Sequence, residues 1–153
     1  MQQVDEAIAA ERAAFERGDL DAGKRLGRLY IDQARWDEGL DVYEQLLGKT
    51  PDSLPARYGH ATVLLNIGRA EEALASFDAM IREGNDRPEI RFMRARSHLE
   101  LGNVQRGLAD LQDSHRRAPG DHSLRTLAGT LWMSGDRDGF ERLLRQAARI
   151  PAL

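Results

Sequence analysis

Apolar residues along this chain recur three and four positions apart, with polar residues between them. In "AEEALASFDAMIR" the apolar set Ala73, Leu74, Phe77, Met80 and Ile81 lies on one face of a helix. The same rhythm runs through most of the chain. It breaks near Ala34, Gly68 and Gly102, and again near Pro51, Asn85 and Pro119. Each block between the second set of breaks therefore predicts two helices of about a dozen residues, about 20 Å each.

The breaks share a period of 34 residues. Small residues form two columns at that interval: Gly27, Ala61, Ala95 and Gly129, and then Gly39, Ala73 and Gly107. Bulky apolar residues form others: Tyr43, Phe77 and Leu111; Leu40, Leu74 and Leu108; Trp36, Ala70 and Val104. Two antiparallel helices joined by a short turn approach closely, and Gly or Ala in the small columns permits that.

With these columns in place, the chain resembles the tetratricopeptide repeat family, whose pattern is W-x2-L-G-x2-Y, then A-x3-F, then P. The first unit has Leu26-Gly27-x2-Tyr30, Gly39-x3-Tyr43 and Pro51. The second keeps Ala73-x3-Phe77 but has His60-Ala61-x2-Leu64 and no Pro. The third keeps Ala95 and Pro119 but departs at Arg94, His98 and Leu111. The resemblance implies an all-α, right-handed α-α superhelix of helix-turn-helix repeats in a single domain, 1–153. A leading half-repeat helix is expected at 5–18, with repeats at 20–53, 54–87 and 88–121. At 122–153 a degraded fourth repeat is expected to cap the chain, its phase slipped by about one residue. Terminal repeats are atypical because one face lacks a neighbour.

Composition adds exclusions. The charged fraction is 31%, the apolar fraction 41% and the net charge −3, which suits a globular domain and gives no reason to expect nucleic acid. The chain has no cysteine, so thiolate nucleophiles and Cys metal sites are out. "MQQVDEAIAAERAAF" brings acids at once, and no later run reaches transmembrane length. The expectation is a cytoplasmic protein without membrane insertion.

Candidate chemistry is sparse. Gly48-Lys49-Thr50 looks like the end of a phosphate-binding loop. That loop needs an earlier Gly where Tyr43 stands, a strand before it and a helix after it. Here a helical pattern precedes and Pro51 follows, so a helix C-terminus is expected instead. His60, His98, His115 and His122 lack ligand spacing, and the acids at Asp37-Glu38 and Glu71-Glu72 suit helix N-termini. No catalytic residues, cofactor or metal are expected, and the chain reads as a non-enzyme.

The resemblance implies a binding site on the first helices, which line a concave groove in the family and take partner peptides or helices. The positions expected there are Lys24, Arg28, Ile31, Tyr58, Thr62, Leu65, Asn66, Phe92, Arg96 and Leu99, extended by Thr130 and Met133. Tyr58 and Phe92 are not expected to be spent entirely on repeat packing, since the apolar columns account for that face, and exposed aromatics beside Arg mark interaction hot spots. A two-carboxylate clamp known in the family fits Lys24 but not Arg28, Gly59, Glu89 or Met93. The function implied is a protein-interaction scaffold or adaptor. Self-association and an accessory role in a larger enzyme are the other readings.

Overall fold

The structure, a computed structural model, describes residues 1–149. The described residues form nine helices and no strand: α1 (Gln2–Glu16), α2 (Leu20–Asp32), α3 (Trp36–Lys49), α4 (Leu54–Asn66), α5 (Ala70–Arg82), α6 (Pro88–Glu100), α7 (Val104–Arg117), α8 (Asp121–Ser134) and α9 (Arg137–Ala148). First helices start at Leu20, Leu54 and Pro88, and second helices at Trp36, Ala70 and Val104, all one 34-residue period apart. α8 and α9 then start one residue early, at Asp121 and Arg137. The last four residues of the expected fourth repeat lie outside the described residues.

One turn recurs inside every repeat. A carbonyl in the last helical turn accepts a long backbone bond: Arg35 N–H to Tyr30 O (2.8 Å), Arg69 to Leu64 (2.9 Å), Asn103 to His98 (2.8 Å) and Asp136 to Leu131 (3.0 Å). This is the Schellman closure, and it requires one left-handed residue. Gly68, Gly102 and Gly135 supply it at φ 85°, 77° and 82°, while the first repeat uses Ala34 at φ 53°. The same closure at Asp19 N–H to Ala14 O (3.1 Å), with Gly18 at φ 98°, ends α1 two residues short of the expected boundary. Side-chain caps open α2, α4 and α9: Asp19 accepts from Ala22 N–H (3.0 Å), Ser53 from Ala56 (3.4 Å) and Asp136 from Gly139 (2.8 Å).

By internal contacts the chain divides into two compact units, Met1–Met80 and the residues from Ile81 onward. In unit 1, Ile8, Phe15, Leu26, Tyr30, Val42, Leu46 and Val63 form a continuous core. Each such buried side chain contributes about 1.5–3 kcal/mol. The Tyr43 ring is held between two glycines. A Cβ at Gly27 would lie 2.6 Å from Tyr43 Cζ, and one at Gly59 would overlap the ring outright. Burial pushes the Tyr43 hydroxyl up to about 12. In unit 2, Ala95, Leu108, Leu111, Leu127, Leu131 and Leu143 form the core. The small column does not hold to its end: Gly129 is exposed and a Cβ there would meet nothing, because the slip in α8 turns it away from the packed face.

Candidate functional site

The Gly48-Lys49-Thr50 stretch closes α3 rather than opening a helix. Thr50 Oγ1 and N–H both bond Leu46 O, at 2.9 and 2.7 Å, and the Lys49 ammonium sits 5.4 Å over the Phe15 ring. The histidines are scattered. His60 is half-buried, 3.9 Å from Glu44, and burial pushes its imidazole down while Glu44 opposes that. His98 is buried, His115 Nδ1 lies 2.8 Å from Ser123 Oγ, and the His122 ring packs on Phe92 at 5.0 Å. Among the described residues no group of three or more His, Asp or Glu is placed to hold a metal, and no helix is long and apolar enough to cross a membrane.

The residues expected in the groove occupy three columns. Lys24, Tyr58 and Phe92 are the fifth residues of α2, α4 and α6. Arg28, Thr62 and Arg96 are the ninth, and Ile31, Leu65 and Leu99 the twelfth. In unit 1, α2 and α4 adjoin, so Lys24, Arg28, Tyr58, Thr62 and Asn66 belong to neighbouring helices. Arg28 is largely solvent-exposed, 76% for its side chain, and reaches Asp32 at 3.6 Å; Lys24 reaches Asp21 at 3.2 Å. Thr62 Oγ1 and Asn66 Nδ2 donate back to Tyr58 O and Thr62 O, both at 2.8 Å. In unit 2, Phe92 and Arg96 are half-buried on α6, and Arg96 Nη1 lies 3.8 Å from Met93 Sδ.

Two expectations need correction. Leu65 is only 5% exposed and offers no contact surface, and Ile31 and Leu99 pack against the cores of their own units. In α2, α4 and α6 the twelfth position is therefore a packing column. Tyr58 and Phe92 are partly packed: Tyr58 meets Phe77 edge-on at 6.0 Å and Phe92 meets His122. Both remain half-buried. Finally, the one-residue slip carries Arg125, Gly129 and Trp132 into the three columns of α8, in place of Thr130 and Met133. Trp132 is 51% exposed, with Arg137 Cζ stacked 3.5 Å from its ring centre and Phe140 edge-on at 5.2 Å. The slip was visible in the sequence, and counting from it would have found Arg125 and Trp132.

The clamp positions are equally clear: Gly59 and Met93 are buried, so neither presents a ligand-binding side chain. Residues 24–88 match the tetratricopeptide repeat family profile. Over those residues the repeats are tetratricopeptide repeats. Solved tetratricopeptide-fold neighbours extend the likeness over nearly the whole chain. MamA (41-end) of Desulfovibrio magneticus RS-1 is 15% identical with a TM-score of 0.79, covering 97% of this chain and 88% of that one. YrrB, described as a TPR protein with an unusual peptide-binding site, is 19% identical with a TM-score of 0.70, covering 95% and 77%. At these identities the likeness establishes the fold: an all-α tetratricopeptide solenoid built from helix-turn-helix repeats. Protein FlbA of Caulobacter vibrioides is 29% identical over 102 residues, which is 67% of this chain but 17% of FlbA.

Proposed function

We propose that this tetratricopeptide-repeat chain is a protein-interaction scaffold that docks a partner segment on its first-helix faces. The observation that carries this is the fate of the fifth and ninth columns. In α2, α4 and α6 the fifth and ninth residues, Lys24, Tyr58 and Phe92, and Arg28, Thr62 and Arg96, all keep accessible surface, although Phe92 also packs against the unit 2 core. They combine aromatic edges, hydroxyls and cations, the residue types that anchor partners at interfaces. Unit 1 offers Lys24 and Arg28 beside Tyr58, Thr62 and Asn66. Unit 2 offers Arg96 beside Phe92. The cationic bias of these columns favours a partner segment with carboxylates.

The test is affinity purification from the native host, comparing the chain with an Arg28→Glu, Arg96→Glu double variant. Both changes are on partly or fully exposed side chains, so circular dichroism should show unchanged helicity. Partners recovered by the unaltered chain should be lost from the variant. An identical set of partners on both would refute docking on these faces.

A further inference from the structure

A cleft of about 810 Å³ opens in unit 2 on the side of the second helices, between α7 and α9 with α8 as its floor. Its floor is apolar, formed by Leu124, Leu127 and Leu131, and Leu143 of α9 faces it. Its rim carries the guanidiniums of Arg116 and Arg142, against a single lining carboxylate, Asp121.

The corresponding space in unit 1 is filled. There α1 and α3 flank α2, and Phe15 lies over Gly23, where a Cβ would come within 2.6 Å of the ring and 2.9 Å of Leu46. Phe15 is five residues before the start of α2, Gly23 is the fourth residue of α2, and Leu46 is the eleventh of α3. The same places around α8 hold Arg116, Leu124 and Ala147. In unit 2 the aromatic ring and the leucine give way to Arg116 and Ala147, Leu124 stands where unit 1 has the bare Gly23, and the cleft opens over this leucine. Arg116 pairs with Asp113. Among the described residues Arg142 has no carboxylate in ion-pair range.

We infer that this cleft is a second docking site, and that its occupant is an acidic segment of a partner protein carrying a bulky apolar side chain. The floor of Leu124, Leu127 and Leu131, with Leu143 opposite, calls for an apolar side chain. The unmatched Arg142 calls for a carboxylate beside it, since a guanidinium covered by a partner needs a hydrogen-bonded counter-charge. The site is separate from the first-helix faces and does not depend on them.

The probe is a short fluorescein-labelled peptide with two Phe residues among glutamates, read by fluorescence anisotropy and by amide shifts. Binding should perturb amides of α8 and α9. Arg142→Glu should weaken it about tenfold or more, the size of one charge-assisted contact. Ala147→Phe should abolish it by filling the cleft while leaving the thermal midpoint unchanged or raised. Arg28→Glu with Arg96→Glu should leave it intact, which separates this site from the first-helix faces. The proposal is overturned if the peptide does not bind, if a Phe–Lys peptide binds as well, or if Ala147→Phe binds normally. It is equally overturned if amide shifts appear without peptide as protein concentration rises, because the occupant would then be a second copy.

Discussion

Repeat 1, in unit 1, and repeat 3, in unit 2, place opposite chemistry in the same two positions. The seventh residues of α2 and α3 are Leu26 and Val42, both buried in an apolar core. The seventh residues of α6 and α7 are Arg94 and Asp110. Arg94 bonds the Asp110 carboxylate through Nε at 2.7 Å and Nη2 at 2.8 Å, and the aspartate side chain is only 5% exposed. Arg91 joins at 3.3 Å and itself holds Asp86 through two 2.7 Å bonds, with Arg117 reaching Asp86 at 2.9 Å and Asp113 at 3.1 Å. One repeat architecture thus closes around either oil or a satisfied ionic cluster. What the architecture demands at these places is pairing, whether of apolar surface or of charge.

The largest effect should come from unpairing the cluster. Asp110→Ala leaves two largely covered guanidiniums without their shared carboxylate and should cost about 3–5 kcal/mol. Replacing the pair together, Arg94→Leu with Asp110→Val, copies repeat 1 and should recover most of that loss. Urea unfolding midpoints of the three variants decide it. A double variant as unstable as Asp110→Ala would show that the two repeats do not share one packing scheme.

Next in size is the tyrosine seat. Gly59→Val drives a branched side chain into the Tyr43 ring and should cost about 1–3 kcal/mol. Repeat 3 carries Leu111 in the place of Tyr43 and Ala95 in the place of Gly27. Adding Tyr43→Leu to Gly59→Val should therefore relieve the strain, and equal midpoints for the single and double variants would argue otherwise. Ala61→Leu and Ala95→Leu, both at fully buried positions, should fall in the same range of about 1–3 kcal/mol.

Much of this was legible in the sequence, for physical reasons that differ by element. Helix starts followed the 34-residue period because each repeat closes with the same Schellman turn, whose Gly recurs at Gly68 and Gly102. Arg94 read only as a departure from the family pattern. Its partner lies 16 residues away, and no local spacing rule links an arginine on one helix to an aspartate on the next. For the candidate site, the period aligned the fifth and ninth columns, and the family resemblance pointed to them as a binding face. The burial of Leu65 and the ring partners of Tyr58 and Phe92 were not legible, because accessibility depends on which neighbour reaches across.

Acid should separate the two units. In unit 1, burial holds the His60 imidazole below its ordinary value near 6.5. The folded state then binds fewer protons than the unfolded chain below that pH. Stability is full above about 6.5 and declines as pH falls through the depressed folded value. In unit 2, hydrogen bonds from Arg91 and Arg117 hold Asp86 far below the usual carboxylate range. Its contribution is intact above about 3.9 and is lost only under stronger acid. Protection factors, corrected for the intrinsic pH dependence of exchange, should therefore fall in α4 between pH 7 and 5, a range over which the Asp86 contribution in unit 2 does not change. His60→Gln should flatten the α4 response, and a slope that survives this change would assign it to another group.

The smallest effect distinguishes the turns. Gly68 and Gly102 take the left-handed conformation freely, but Ala34 holds φ 53° with a Cβ against the following carbonyl. That strain is worth about 1–2 kcal/mol, and glycine's larger unfolded-state entropy offsets about 0.5–1 kcal/mol of the relief. Ala34→Gly should therefore stabilise by about 0.5–1 kcal/mol, raising the thermal midpoint by roughly 1–4 °C for a chain of this size. Gly68→Ala should lower it by a similar amount. Opposite signs at two positions one period apart would show that the closure makes the same backbone demand in each repeat. A fall on Ala34→Gly would mean that the Ala34 methyl makes packing contacts outweighing its strain.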